Sequence, residues 1–221
     1  MGPLLTGKMR RGRMNEALPL IVGIGGTAAP ESSTETALKL ALAAAGREGV
    51  RTKLFGSATL AALPHYMTPA SRTSDDAREL LEYIRKADGF IVASPGYHGS
   101  ISGIVKNAID YIEETSKDVR VYMDGLPVGL IATAYGWQAA TSTLATLRSI
   151  VHALRGWPTP LGAAINCSGG ILKGGQCGDP RALAQLELVG QQVCQFARLR
   201  QSNPRFLETT TTAPERDNPA E

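Results

Sequence analysis

The chain has 221 residues, of which 43% are hydrophobic and 19% charged, enough for one α/β domain with a full core. Its net charge of +3 arises in the first 18 residues, where Lys8, Arg10, Arg11 and Arg13 outnumber Glu16; the neutral remainder lacks the basic face of a nucleic-acid binder. No apolar run is long enough to span a bilayer. The three cysteines, Cys167, Cys177 and Cys194, form no CxxC pair and have no His at ligand spacing, which excludes a disulfide framework and a zinc site and fits a reducing cytoplasm.

Residues 1–17 (MGPLLTGKMRRGRMNEA) lack the apolar stretch of a secretory signal and read as a disordered basic leader. Gly2 and Thr6 match the bare myristoylation pattern, which Pro3 suits badly, and Met14 offers an alternative start. Residues 18–26 (LPLIVGIGG) then form a short apolar run ending in glycines, a buried strand. Residues 31–49 carry apolar groups at helical spacing, and residues 50–56 (VRTKLFG) alternate as a strand does. A long loop follows, with His65 either lining a pocket or facing water. Residues 74–87 open on a Ser/Asp cap and place Leu80, Leu81 and Ile84 on one helical face.

Residues 89–95 (GFIVASP) are the third strand, followed by a helix over 103–115. Residues 126–134 (LPVGLIATA) are the fourth strand and 138–156 a long helix, with His152 on its apolar face as a packed or interface residue. Residues 160–168 are the fifth strand, and 179–200 the last helix, with Pro180 in its first turn. Residues 203–221 are polar and aperiodic, a disordered tail, leaving 18–202 as the folded domain. Strands that alternate with helices make a parallel sheet covered on both faces. Ligands of such sheets sit outside the carboxyl ends of the strands, at the switch point, which singles out the loops after strands one, three and four.

The first of these loops (GGTAAPESSTET) is neither a P-loop nor a GxGxxG turn. It gathers the hydroxyls of Thr27, Ser32, Ser33 and Thr34 at a helix N-terminus, where free N–H groups and the helix dipole favour an anion such as a phosphate monoester. A capping box of Ser32 with Glu35 explains the same residues as a helix start alone, and the two readings are compatible. The third-strand loop (SPGYHGSISG) is a poor phosphate cradle, because Pro95 has no N–H to give and Tyr97 is bulky. It suits a flat heterocycle, with the backbone of Gly96, His98, Gly99 and Ser100 toward its polar edge and Tyr97 or His98 beside it.

Together these loops resemble the NADPH-dependent FMN reductase family, flavodoxin-like flavoproteins that include the flavin reductases of sulfonate monooxygenase systems and related quinone and azo reductases. At the positions of the family's Gly-Ser-x-Arg-x-x-Ser-x-Asn stand Gly26, Thr27, Ala29, Ser32 and Thr34. Pro95, Tyr97, Ser100, Gly103, Lys106, Asn107, Ile109 and Asp110 match its Pro-Glu-Tyr-Asn-x-Ser-x-Pro-Gly-x-Leu-Lys-Asn-x-Ile-Asp. The departures are Ala29 for Arg, which removes a phosphate contact, Gly96 for Glu, His98 for Asn and Ser102 for Pro. The resemblance covers residues 18–168, and the stretch around residues 129–162 resembles the sulfonate-linked branch.

The resemblance implies a flavodoxin-like three-layer sandwich with a five-stranded parallel sheet of order 2-1-3-4-5. It implies an FMN whose phosphate sits on Thr27, Ser32, Ser33 and Thr34, whose ring rests on Pro95 to Ser100, and whose other edge is closed by Ala134, Tyr135 and Gly136. NADPH or NADH would supply the hydride, and reduced flavin would serve a partner monooxygenase or a quinone- or azo-type acceptor. No protein acid, base or nucleophile is needed for that step, and none emerges from the loops. A homodimer or homotetramer is expected, with Trp137 and Trp157 at a subunit contact. Lys106 is read as an ion-pair partner of Asp110, and Cys167 as a small core residue. An electron carrier without turnover and a biosynthetic flavoenzyme share the same scaffold.

Overall fold

The unbroken apolar run that opens the domain becomes β1 (Leu20–Gly25), buried along its whole length, as a strand covered on both faces must be. The computed structural model describes residues 17–203; apart from Ala17 and Asn203, the leader and tail expected at 1–17 and 203–221 lie outside the described residues. After β1 come α1 (Ser33–Arg47), β2 (Arg51–Phe55) and a short α2 (Ser57–Ala62). A 3-10 turn at Pro69–Arg72 leads to α3 (Asp75–Lys86) and β3 (Gly89–Tyr97). The two-residue β4 (Ser100–Ile101) turns back antiparallel on the end of β3.

Beyond β4 lies α4 (Gly103–Asp110), which tightens into a 3-10 turn at Tyr111–Thr115, so the expected helix over 103–115 is two pieces. Then follow β5 (Pro127–Ala134), α5 (Trp137–Ala153), β6 (Trp157–Asn166), a small antiparallel pair β7 (Leu172–Lys173) and β8 (Gln176–Cys177), and α6 (Pro180–Ser202). The five parallel strands lie in the order β2-β1-β3-β5-β6, the expected order once β4 is set aside. β6 begins at Trp157, three residues ahead of the expected start, and runs through Pro158 and Pro160. An edge strand tolerates proline because one side of its backbone has no strand to pair with.

Each face of the sheet has its own core. Phe90, Val92, Val128 and Leu130 pack with Leu80, Ile84, Val105, Leu144 and Leu147 of α3, α4 and α5. Ile91, Ile131 and Ile165 pack with Leu38, Ala41, Leu186 and Val193 of α1 and α6. Burial of one such large side chain contributes on the order of 1.5–3 kcal/mol, so both helical layers are firmly seated. The carboxyl ends of β1, β3, β5 and β6 therefore meet along one edge.

Candidate active site

At that edge the loops enclose a cavity of about 310 Å³, at the small end of the roughly 300–1,000 Å³ typical of small-molecule sites. Of the residues expected from the sequence, Thr27, Ser32, Ser33, Thr34, Pro95, Gly96, Tyr97, Ala134 and Tyr135 line it. His98, Gly99, Ser100 and Gly136 are not among its walls: His98 and Gly99 form the tip of the β3–β4 hairpin, Ser100 opens β4, and Gly136 precedes α5 as its N-cap. Glu31, Thr133 and Cys167 complete the lining; Glu31 and Cys167 were not expected there as ligand contacts, whereas Thr133 opens the stretch at the end of the fourth strand, Thr133 to Trp137, that the resemblance carries to the flavin.

The hydroxyls of the first loop are largely engaged within the protein. Thr27 Oγ1 donates to the Ala29 carbonyl at 3.0 Å and accepts from the Ala29 amide at 3.1 Å. Ser33 Oγ donates to the Leu172 carbonyl at 3.3 Å. Thr34 Oγ1 lies 2.6 Å from Thr133 Oγ1, a buried bond that ties the first turn of α1 to the end of β5. Ser32 Oγ accepts from the Glu35 amide at 3.2 Å as the N-cap of α1, which leaves its O–H free to donate. The amides of Ser33 and Thr34 open the helix and have no intrahelical acceptor. The loop thus offers an anion mainly the N-terminus of α1 and one serine.

The expected capping box closes only halfway. Glu35 does not return its carboxylate to Ser32; it reaches 22 residues along the chain, where Oε2 accepts from the Ser57 amide at 3.1 Å. Ser57 opens α2, whose N-cap is Gly56 and has no side chain to cap it. A Cβ at Gly56 would stand 3.2 Å from the Glu35 carboxyl, so the bare backbone admits the distant carboxylate as the cap. Ser57 Oγ in turn accepts from the Thr27 amide at 3.4 Å, and Lys39 Nζ lies 2.6 Å from Glu35 Oε1. Burial pushes the Glu35 carboxyl up, but hydrogen bonds from Lys39 and from the Ser57 hydroxyl and amide more than offset it, and the group sits below the usual carboxylate range.

The hairpin after β3 obeys a different constraint. Gly96 lies against α5, where an added Cβ would stand 2.6 Å from Thr143 Oγ1 and 3.1 Å from the Ala139 carbonyl. His98 and Gly99 both have positive φ, 49° and 85°, between the paired Tyr97 and Ser100, as a two-residue type I′ turn requires. Ser94 Oγ, fully buried, accepts from the Ser102 amide at 3.0 Å, and Ser102 caps α4. Asn107 holds the loop after α2: its amide group donates to the Pro64 carbonyl at 3.0 Å and accepts from the Tyr66 amide at 2.9 Å. Lys106 pairs with Asp110 at 2.5 Å, as expected from their spacing.

Cys167 is 2% exposed, and its amide donates to the Ala134 carbonyl at 2.7 Å. Burial pushes its thiol up, against the pull of the Ser33 hydroxyl and the Ala134 backbone, so it is a neutral wall and not a nucleophile. His65 and His152 are exposed and line no part of the cavity. Trp137 and Trp157 are 62% and 48% exposed. Among the described residues no cluster of His, Cys, Asp and Glu could hold a metal, and no helix is long and apolar enough to cross a membrane.

The donor set suits a phosphate held by amides and a hydroxyl, with no Lys or Arg among the described residues of the lining and the Glu31 carboxylate at its border. The remaining walls, Pro95–Tyr97 and Ala134–Tyr135, present backbone and two exposed phenol rings, Tyr97 at 50% and Tyr135 at 83%. That arrangement fits a flat ring with an anionic tail.

The family model described as NADPH-dependent FMN reductase matches residues 19–168, a span that contains every wall of the cavity. An FMN-dependent NADPH-azoreductase of Staphylococcus saprophyticus is 39% identical over 95 residues, 41% of this chain and 47% of that protein. Its counterpart in Staphylococcus aureus is 39% identical over 83 residues, 38% of this chain and 40% of that protein. The chain thus spans half or less of the length of these curated relatives. Among solved structures, FerB of Paracoccus denitrificans, a flavoenzyme NAD(P)H:(acceptor) oxidoreductase, superposes with a TM-score of 0.67 at 19% identity, covering 82% of this chain and 98% of its own. The apo form of the NADH:FMN oxidoreductase EMOB gives 0.60 at 17%, with 82% and 89% covered. A flavodoxin of Streptococcus pneumoniae gives 0.53 at 12%, with 80% and 98% covered. At these identities the structures share the fold.

Proposed function

The chain belongs to the NADPH-dependent FMN reductase family, and we propose that it is an NAD(P)H-dependent flavin oxidoreductase with its FMN in the cavity at the carboxyl edge of the sheet. The observation that supports this reading is the meeting, around one cavity, of the start of α1 at Ser32–Thr34, with its free amides, and the walls Pro95–Tyr97 and Ala134–Tyr135. FMN held there by this lining would supply the redox chemistry, hydride uptake and onward electron transfer.

The protein's own residues bind and orient. The amides of Ser33 and Thr34 and the hydroxyl of Ser32 meet the phosphate, and the Thr34–Thr133 bond fixes their helix against β5. The main chain of Gly96 and Ala134 borders the ring, and buried Thr133 and Cys167 keep water from its inner side. The exposed rings of Tyr97 and Tyr135 leave the mouth open. The proposed acceptor is a small electron-poor aromatic, such as an azo compound or a quinone, in line with the azoreductases to which the chain is similar. Assembly as a homodimer or homotetramer is part of the proposal.

The test is NADPH oxidation by purified protein, with and without added FMN, with a quinone or azo dye as acceptor. Turnover is expected. Protein that binds no FMN sinks the proposal, and turnover only with a partner monooxygenase present replaces the acceptor. Ser32→Ala should weaken FMN about three- to tenfold, one hydrogen bond's worth, while riboflavin affinity is unchanged; Thr34→Ala, which frees the helix start from Thr133, should weaken FMN through the lost positioning of the amides. Equal losses for both flavins would reduce the loop to a helix cap.

A further inference from the structure

We propose that a second cavity on the same edge of the sheet holds the 2′-phosphoadenosine end of NADPH, with Arg181 on the phosphate and Trp137 against the adenine. This rests on the reductase reading and assigns it a coenzyme subsite. The second cavity, also about 310 Å³, lies between Trp137 at the start of α5, Ala164–Asn166 of β6, and Asp179, Arg181 and Gln185 at the start of α6. It adjoins the first along the chain at two points. Tyr135 and Cys167 line the first cavity, and their near neighbours Trp137 and Asn166 line the second. The paired ends of β5 and β6, Ala134 opposite Asn166, stand between residues that line the two, and in this proposal one elongated ligand crosses them.

The chemistry of the second cavity complements that of the first. Among the described residues no Lys or Arg lines the first cavity, and Arg181 is the one basic side chain that lines either space. Arg181 is exposed and, among the described residues, makes no ion pair. The neighbouring carboxylate is already engaged: Asp179 Oδ1 accepts from the amides of Arg181 and Ala182 at 2.8 and 3.3 Å, where the positive end of α6 offsets its charge. A guanidinium beside a helix start is a fork for a phosphate dianion.

The other two walls suit a purine. Trp137 is 62% exposed in the single chain, and in this proposal its indole face meets the adenine in place of the subunit contact expected from the sequence. β6 is the edge strand, so part of its backbone has no partner strand and is free for the ring's hydrogen-bonding edge. The carboxamides of Asn166 and Gln185 border the same space. NADH lacks the 2′-phosphate, so Arg181 would set the preference between the two coenzymes.

The experiment is calorimetric titration of adenosine 2′,5′-bisphosphate into the full chain without flavin, alongside KM for NADPH and NADH. Arg181→Ala should raise the Kd of the bisphosphate and the KM of NADPH at least about tenfold, the weight of one charge-assisted contact, and leave the KM of NADH unchanged. Arg181→Lys should recover part of the loss. Trp137→Ala should raise both KM values, with the FMN Kd as the check on folding. Wild type that binds no bisphosphate, or binding that both alanine variants leave unaltered, overturns the subsite. If NADPH turnover is robust in that case, the reductase reading stands alone; Arg181-dependent binding without any turnover keeps the subsite and sinks that reading.

Discussion

The loop after β1 and the hairpin after β3 border one cavity, yet the sequence dresses them oppositely. The first is rich in hydroxyls, and the hydroxyls turn inward: Thr27 braces its own loop, Ser33 holds Leu172, and Thr34 holds Thr133. What the loop leaves for a ligand is chiefly backbone. The hairpin is rich in glycine and looks loose, yet its backbone is fixed by what packs on it, α5 at Gly96 and the turn geometry at His98 and Gly99. Side chains that look like ligands can be scaffolding, and residues that look like flexible turns can be tight packing points.

The largest expected effect strikes the hairpin. Gly96→Glu, which restores the residue of the family pattern, places a side chain where Thr143 Oγ1 and the Ala139 carbonyl already stand. The carbonyl is helix backbone and cannot step aside, so α5 must shift. The cost should be about 1–3 kcal/mol, as for other overpacked sites, together with a marked loss of FMN affinity. Urea unfolding and flavin fluorescence read the two effects. Adding Thr143→Ala should recover part of the stability. An unaffected Gly96→Glu variant would mean that the glycine is slack and that the departure from the family needs another cause.

Next comes the brace of the first loop. Glu35→Ala leaves the buried Ser57 amide without its acceptor and Lys39 without its partner, and should cost about 1–3 kcal/mol. The pH dependence has a definite sign. A carboxyl held lower in the folded state than in the unfolded one stabilises the fold above its unfolded value, and that stability is lost as pH falls through the folded value. The wild type should therefore lose part of its stability below the usual carboxylate range near 4.5. Glu35→Gln, which keeps an oxygen acceptor for Ser57 but cannot titrate, should show a shallower acid slope. Parallel acid slopes would remove Glu35 as the brace.

How much of this was legible beforehand depends on the range of the interaction. The strands and their order follow from apolar runs and alternation, and Lys106–Asp110 from helical spacing, because both signals are local. β6 starts at Trp157 and not at residue 160, because only the strand's place at the edge of the sheet makes Pro158 tolerable inside it. β4 was missed because two residues carry no periodicity. In the site, Ser32 as a cap was readable, whereas the Glu35–Ser57 bond spans 22 residues and has no local trace. Cys167 at a strand end looked like core. It is core, but the same burial that hides it from water also makes it a wall of the cavity.

The smallest expected effect is the sharpest test of the comparison, because it asks whether the hairpin tip is geometry or chemistry. His98 has φ of 49° ahead of Gly99 at 85°, a position where Asn, Asp and His are all enriched over other residues. Asn-Gly is the favoured pair for such a turn, so His98→Asn keeps the backbone and removes only the imidazole. Stability should change by no more than about 0.5 kcal/mol, toward the stabler side, and flavin affinity should hold, since His98 does not line the cavity. His98→Val should be the worse variant, because a β-branched residue resists positive φ. If His98→Asn keeps its unfolding curve but loses turnover with one acceptor and not another, the imidazole touches that acceptor at the open mouth, and the hairpin selects substrates as well as shaping the wall.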